Sequence, residues 1–176
     1  SGETKVMIAG GSEAMLTFGS LKAWEGLRVM SKTGCRPFCS TRNGLVQGEG
    51  SAIFVLEDYD YAKQRGAHIF AEILGCSMTS DGTDLVSPSL NGVKKAMLKS
   101  LNSAKINPDS IDYINAHGTG TKINDRVESN AISEIFSQTS KQPLVSSTKS
   151  MHGHVMGASG AIAVSYTHLR AHETSI

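Results

Sequence analysis

The stretch that decides the fold spans residues 111–136 and reads IDYINAHGTGTKINDRVESNAISEIF. It predicts a strand at residues 111–116, then a glycine-rich turn, then a helix with apolar residues at the spacing of one face. The apolar residues of that face are Val127, Ala131, Ile132, Ile135 and Phe136. Strand, turn and helix in this order are typical of a parallel α/β unit whose helix crosses over the sheet.

The neighbouring segments extend this pattern in both directions. Downstream, residues 144–164 repeat the order of strand, glycine-rich turn and helix. Upstream, an earlier helix has Val93, Met97 and Leu101 on one face, and Asn107-Pro108-Asp109 ends it. Near the amino terminus, the short apolar runs at residues 6–9 and 52–56 predict strands that are buried on both faces. These segments together predict an α/β sandwich with crossover helices.

Composition limits the classes of partner. The chain has 176 residues, 39% of them hydrophobic, which is enough for one buried core. Its net charge of +1 provides no overall field for nucleic acid or an anionic membrane. The apolar runs are too short to span a bilayer, and no leader-like segment opens the sequence. We therefore expect a cytoplasmic protein that binds neither nucleic acid nor membrane.

Three polar segments follow predicted strands and place titratable groups beside glycine. They are NAHGTGT at residues 115–121, DRVE at residues 125–128 and SSTKSMHGH at residues 146–154. A neutral imidazole can donate a hydrogen bond to a carbonyl oxygen that becomes negative during a reaction. A nearby ammonium such as that of Lys149 would disfavour protonation of the imidazole. Taken singly, none of the segments is persuasive, since a lone histidine in a turn is more often structural and an Asp-x-x-Glu at a helix start usually serves as a cap.

Taken together, the three segments resemble the β-ketoacyl-[acyl-carrier-protein] synthases, which are type II condensing enzymes of the thiolase-like superfamily. The shared motifs are His-Gly-Thr-x-Thr, Asp-x-x-Glu and Ser-x-Thr-Lys-x-x-x-Gly-His, in that order. Framework segments such as RPF at residues 36–38 and RNGLVQGEG at residues 42–50 are also similar to the family. The resemblance extends from about residue 2 to Val164.

The resemblance implies a thiolase-like layered αβαβα fold, with only the end of its first half and most of its second half in this chain. Residues 1–70 would end the amino-terminal half, and residues 71–164 would form an incomplete carboxyl-terminal half. Residues 165–176 are polar where an apolar helix should continue, so we expect a non-native tail.

The resemblance also implies the site residues. The four catalytic candidates are His117, His154, Lys149 and Glu128, of which Glu128 supports the lysine. Thr119 and Thr121 would hold the pantetheine arm of a carrier protein, and Arg28 would lie near its entrance and help to dock it. We expect no bound metal and no cofactor beyond the phosphopantetheine that the carrier protein brings.

The implied reaction is a decarboxylative Claisen condensation in fatty acid or polyketide synthesis, catalysed by an acyltransferase similar to KAS II. Its partners would be acyl carrier protein and acyl and malonyl thioesters, and the intact enzyme would be a homodimer. The family's nucleophilic cysteine motif would lie upstream of Ser1, and none of Cys35, Cys39 and Cys76 has its context. We therefore expect the chain alone to be inactive. Cys35 and Cys39 are expected to be free thiols, and Cys76 a thiol in the core.

Three alternatives remain at the level of sequence. Lys149 could form a Schiff base with pyridoxal phosphate, although the paired histidines would then have no role. His117, His152 and His154 could bind a metal ion. The chain could also belong to a partner subunit similar to a chain-length factor, which keeps the fold without the nucleophile. His152 itself departs from the family, which has a small or hydroxyl residue there.

Overall fold

The computed structural model describes residues 3–84 and 86–169. Its strands and helices are, in chain order, β1 (Val6–Glu13), α1 (Phe18–Gly26), β2 (Gly50–Glu57), α2 (Tyr59–Gln64), α3 (Leu90–Ala104), β3 (Tyr113–Asn115), α4 (Lys122–Phe136), β4 (Leu144–Ser146), α5 (Lys149–His152) and α6 (Ser159–Val164). Short 3-10 turns lie at Pro108–Ser110 and Met156–Ala158, and a π-helical turn at Ser165–Leu169 follows α6.

The predicted crossover unit is confirmed. Strands β3 and β4 pair in parallel, with Tyr113 opposite Leu144 and Asn115 opposite Ser146. Helix α4 connects them, and its buried apolar residues Ala131, Ile132 and Phe136 belong to the predicted face. Strand β3 is shorter than predicted because its pairing with β4 covers only three residues.

Helix α3 packs against α4 and begins and ends at clear signals. The Ser89 hydroxyl accepts a hydrogen bond from the Gly92 N–H, which caps the first turn. Lys105 has a left-handed backbone that ends the helix before the predicted Asn-Pro-Asp breaker. An ion pair of 2.6 Å between Lys94 and Glu134 joins the two helices.

Strands β1 and β2 form an antiparallel pair, but the prediction that residues 6–9 and 52–56 are buried on both faces is wrong for this chain. Ile8 is 70% exposed and Val55 is 63% exposed. The two strands lie in a two-stranded sheet, and α6 contacts both of them. An apolar run predicts a strand from its composition, but it cannot show which elements cover that strand.

The carboxyl-terminal part supplies a small apolar cluster. Val155, Ala158 and Ile162 are buried together, and Ala52 of β2 packs against them. This cluster holds the loop before α6 against the β1–β2 pair. Residues 165–169 continue from α6 as the π-helical turn, and residues 170–176 lie outside the described residues, so the non-native tail stays a prediction.

The structure also bears on the thiols and on membrane insertion. All three cysteines are free, as predicted for Cys35 and Cys39, but the prediction of a core thiol is wrong because Cys76 is exposed in a segment without regular secondary structure. In the two described segments, no helix has the length and apolar character needed to cross a bilayer.

Candidate active site

A large open cleft contains most of the predicted site residues. Its volume is about 1120 Å³, and its walls come from α1, the loop after it, the segment before α3, and the turns that follow β3 and α5. The predicted residues that line it are His117, His154, Glu128, Thr119, Thr121 and Arg28. Trp24 of α1 lines it as well.

The two predicted histidines meet at one end of this cleft. His117 lies in the turn after β3, and His154 follows α5. Their ring centroids are 5.2 Å apart, with an angle of 84° between the ring planes. The backbone N–H of His154 donates to the Val46 carbonyl oxygen at 2.7 Å, which ties the His154 loop to the segment before β2. Residues 37 positions apart in sequence thus share one wall.

Gly153 directly precedes His154 and permits this close approach. Its backbone φ is +74°, in the region that side chains other than glycine rarely adopt. A Cβ at this position would lie 2.9 Å from the Val46 carbonyl oxygen. A glycine is therefore required for the chain to turn from α5 into contact with residues 46–48.

Lys149 is buried directly behind the His117 turn. It is the first residue of α5 and only 5% exposed. Its Nζ donates to the His117 carbonyl oxygen at 2.7 Å. The ammonium therefore fixes the His117 backbone and places a positive charge close to both imidazoles. Burial lowers the pKa of Lys149, while the nearby Glu128 carboxylate raises it.

Both imidazoles are neutral near pH 7. Burial, followed by the Lys149 ammonium, lowers the pKa of His117 to about 4. Burial and then the charges of Lys149, His117 and His152 lower the pKa of His154 to about 3. A neutral imidazole carries one N–H, so each ring can donate one hydrogen bond into the cleft while it stays uncharged.

The tautomer of His154 follows from its neighbours. Its Nδ1 lies 3.1 Å from the backbone N of Met156, which can only donate. Nδ1 therefore accepts and carries no hydrogen, which leaves the proton on Nε2. His154 is thus an Nε2–H donor.

Glu128 supports the site through backbone groups. Its two carboxylate oxygens accept the N–H groups of His117 at 2.6 Å and Gly118 at 2.8 Å, and the side chain is 5% exposed. The Asn124 side chain also donates to it at 3.4 Å. Glu128 and Lys149 thus bind the N–H and the carbonyl of the same residue, His117, so that both side chains hold one turn.

Asp125 belongs to the Asp-x-x-Glu motif, from which no role for its own side chain was predicted. It is 1% exposed, and its carboxylate accepts the Gly120 N–H at 3.2 Å and the Phe38 N–H at 2.8 Å. The Arg42 guanidinium lies 3.7 Å away. Asp125 therefore joins the threonine turn to residues 36–42, and its place three residues before Glu128 was the only local signal for this role.

Thr119 and Thr121 form one polar edge of the cleft. Their hydroxyl oxygens are 2.9 Å apart and share a hydrogen bond. Thr119 is 5% exposed, and Thr121 is half-buried. Arg28 lines a different wall, and its left-handed backbone, with φ of +57°, follows the end of α1.

Comparison with known proteins identifies the family. The profile of the β-ketoacyl synthase carboxyl-terminal domain matches residues 70–176, and that of the amino-terminal domain matches residues 1–62. The chain belongs to the β-ketoacyl synthase family. Ketosynthase relatives have the thiolase-like fold, and a solved ketosynthase matches this chain over 96% of its length with a TM-score of 0.89.

That solved structure is described as a type II polyketide synthase acyl carrier protein in complex with its ketosynthase bound to the hexaketide, and its identity to this chain is 35%. Nodulation protein E of Rhizobium leguminosarum bv. trifolii is 50% identical over 92% of this chain and 40% of its own length. The 3-oxoacyl-[acyl-carrier-protein] synthase 2 of Staphylococcus aureus is 38% identical over 99% of this chain and 45% of its own length. The chain therefore spans about two fifths of the curated relatives that it matches.

Two groups of candidate residues do not join the ketosynthase cleft. Cys35, Cys39 and Cys76 lie outside the set of described residues that lines it. His152 bonds through Nε2 to the Thr148 hydroxyl at 3.0 Å and does not line the cleft. Within residues 3–84 and 86–169, no three metal-binding side chains come together, so the three-histidine metal site is not formed there.

Proposed function

We propose that this chain provides the decarboxylation half of the active site of a 3-oxoacyl-[acyl-carrier-protein] synthase similar to KAS II. The reaction is the decarboxylative Claisen condensation of a malonyl carrier-protein thioester with an acyl-enzyme thioester, in fatty acid or polyketide synthesis. The single observation that carries the proposal is the pair of neutral imidazoles, 5.2 Å apart, on one wall of a large cleft.

The chemistry of decarboxylation explains why two neutral donors are useful. Loss of carbon dioxide from the malonyl group leaves an enolate, and its negative charge collects on the thioester oxygen. The N–H groups of His117 and His154 would donate to this one oxygen, in the manner of an oxyanion hole. Each uncharged ring still carries one N–H to donate, as this role requires. The buried Lys149 ammonium adds a fixed positive charge behind them.

The threonine edge suggests how the substrate arrives. A pantetheine arm carries amide groups that need hydrogen-bond partners in a narrow channel. Thr119 and Thr121 would supply hydroxyl groups for them, and Arg28 would meet the acidic carrier protein at the cleft. No further cofactor is required for this reaction.

The acyl-carrying nucleophile would come from a part of the family fold outside this chain. None of the three cysteines is among the described residues that line the cleft, although Cys35 Sγ lies 3.5 Å from the carbonyl oxygen of Thr119, which does line it. The chain alone should therefore show no condensation, and the complete enzyme should act as a homodimer in the cytoplasm.

The decisive experiment uses this chain joined to the amino-terminal half of a ketosynthase, with malonyl and acyl carrier proteins as substrates. His154→Ala should abolish decarboxylation of the malonyl thioester but spare most of the acyl transfer to the cysteine. His68→Ala is the matched control, because His68 is exposed and lies outside the cleft lining. Equal loss of both partial reactions in His154→Ala would refute the proposed role.

The alternative, a partner subunit similar to a chain-length factor, gains some support from the position of the cysteines outside the cleft. Such a subunit has less need of two desolvated imidazoles beside a buried ammonium, and this favours the catalytic proposal. The same joined protein separates the two, because a chain-length-factor-like half would leave malonyl carrier protein intact.

A further inference from the structure

Ser159 carries a buried hydroxyl beside His154 and belongs to none of the motifs shared with the family. It is the first residue of α6 and is 7% exposed. Its Oγ lies 3.1 Å from Nδ1 of His154. The α6 N-cap is Ala158, without a side-chain capping bond, so Ser159 is not there to cap the helix.

The direction of this hydrogen bond follows from the surrounding donors. The Val155 backbone N–H donates to Ser159 Oγ at 2.9 Å, so that oxygen already acts as an acceptor. The Met156 backbone N–H donates to His154 Nδ1, so that nitrogen carries no hydrogen. The remaining hydrogen between the two side chains is the one on the serine, and the Ser159 O–H therefore donates to Nδ1.

We propose that Ser159 is a positioning residue that acts through His154. Its hydroxyl and the Met156 N–H together hold the imidazole as the Nε2–H tautomer and fix the plane of the ring. A hydrogen bond accepted at Nδ1 also draws electron density from the ring, which makes the Nε2–H a stronger donor to an oxyanion. The catalytic part of this inference rests on the proposed role of His154 in decarboxylation.

The backbone of Met156, next to this contact, is in a strained conformation. Met156 has a φ of +34°, in the left-handed region that a residue with a side chain rarely adopts. The N–H of the same residue donates to Nδ1, and its neighbours Val155 and Ala158 are buried in the apolar cluster with Ile162. Ser159 lies one residue beyond Ala158, so its hydroxyl is placed by the same packing.

A matched pair of variants separates the hydroxyl from the shape of the side chain. Ser159→Thr and Ser159→Val introduce side chains of nearly equal shape, and only threonine keeps the O–H. In the joined ketosynthase, we expect the valine variant to decarboxylate malonyl carrier protein roughly fivefold more slowly than the threonine variant, since one hydrogen bond is lost. Equal rates in the two variants would overturn the proposal.

A spectroscopic measurement on the 176-residue chain tests the contact independently of activity. Nitrogen-15 NMR of the His154 ring should show hydrogen on Nε2, and the Nδ1 resonance should move downfield in Ser159→Ala as it loses a donor. An unchanged Nδ1 resonance, or a wild-type ring with hydrogen on Nδ1, would overturn the proposal. An intact wild-type enzyme without decarboxylation would count against the proposed function instead, because the ring resonances do not depend on turnover.

Discussion

Replacing Glu128 by glutamine should destabilise the fold far more than a change of one atom type suggests. The buried carboxylate accepts the N–H groups of His117 and Gly118 at 2.6 and 2.8 Å. Glutamine keeps one acceptor oxygen but turns an NH₂ group toward the other N–H. Losing one charge-assisted bond and leaving a buried donor unmatched should lower the free energy of unfolding by about 2–4 kcal/mol.

The assay is urea unfolding of the 176-residue chain. With a slope of about 2 kcal/mol per molar urea, the midpoint should fall by about 1–2 M. Glu134→Gln is the matched control on the same helix, because Glu134 is 47% exposed and pairs only with Lys94 among the described residues. An exposed pair contributes about 0–1 kcal/mol. If the two variants unfold at the same urea concentration, the buried carboxylate does not hold the His117 turn as argued.

Three other perturbations test the site. The pKa of His117 is about 4 and that of His154 about 3, both below the usual 6.5, so the unfolded chain binds protons first as pH falls. The urea midpoint should therefore decrease from pH 6.5 toward pH 4. A midpoint that does not change with pH would contradict the lowered pKa values. Gly118→Ala should lower the midpoint sharply, because a Cβ would lie 2.4 Å from Ser147 Cβ at a φ of +40°, whereas Gly160→Ala, with open space around it, should not. Decarboxylation by the joined ketosynthase should survive exhaustive chelation, and its loss would favour the metal hypothesis.

Local periodicity explains which parts of the fold could be predicted. The α4 face repeats apolar residues over nearly three turns, from Val127 to Phe136, and a short apolar strand lies on each side of the helix. The crossover unit could therefore be inferred from residues 111–146 alone. The β1–β2 pair was predicted as strands for the same reason. Its exposure could not be predicted, because burial depends on the elements that pack over a strand. The sequence of the strand does not show which elements those are.

The site was predictable only in part, because its members differ in how far away their partners lie. The resemblance to ketosynthases selected His117, Lys149 and His154, and the structure places them together. The partners of Asp125 could not be found from sequence, since Phe38 lies 87 residues away and offers a backbone N–H that every residue type except proline provides. Ser159 could not be predicted as a site residue for a related reason, because a single serine at the start of a helix is common and usually has a structural role.

The first turns of α4 explain why this site can be rigid before substrate arrives. Asp125 and Glu128 lie three residues apart, and each buried carboxylate binds backbone N–H groups of the glycine-rich turn. Burying two carboxylates is costly unless their oxygens are bonded, so the helix and the turn must form together. The His117 backbone is therefore fixed by folding itself, and under the proposed function a turn held in this way needs no reorganisation when charge develops beside it. Altering α4 at either of these two positions should consequently lower the stability of the chain and, under the proposed function, the decarboxylation rate of the joined ketosynthase as well.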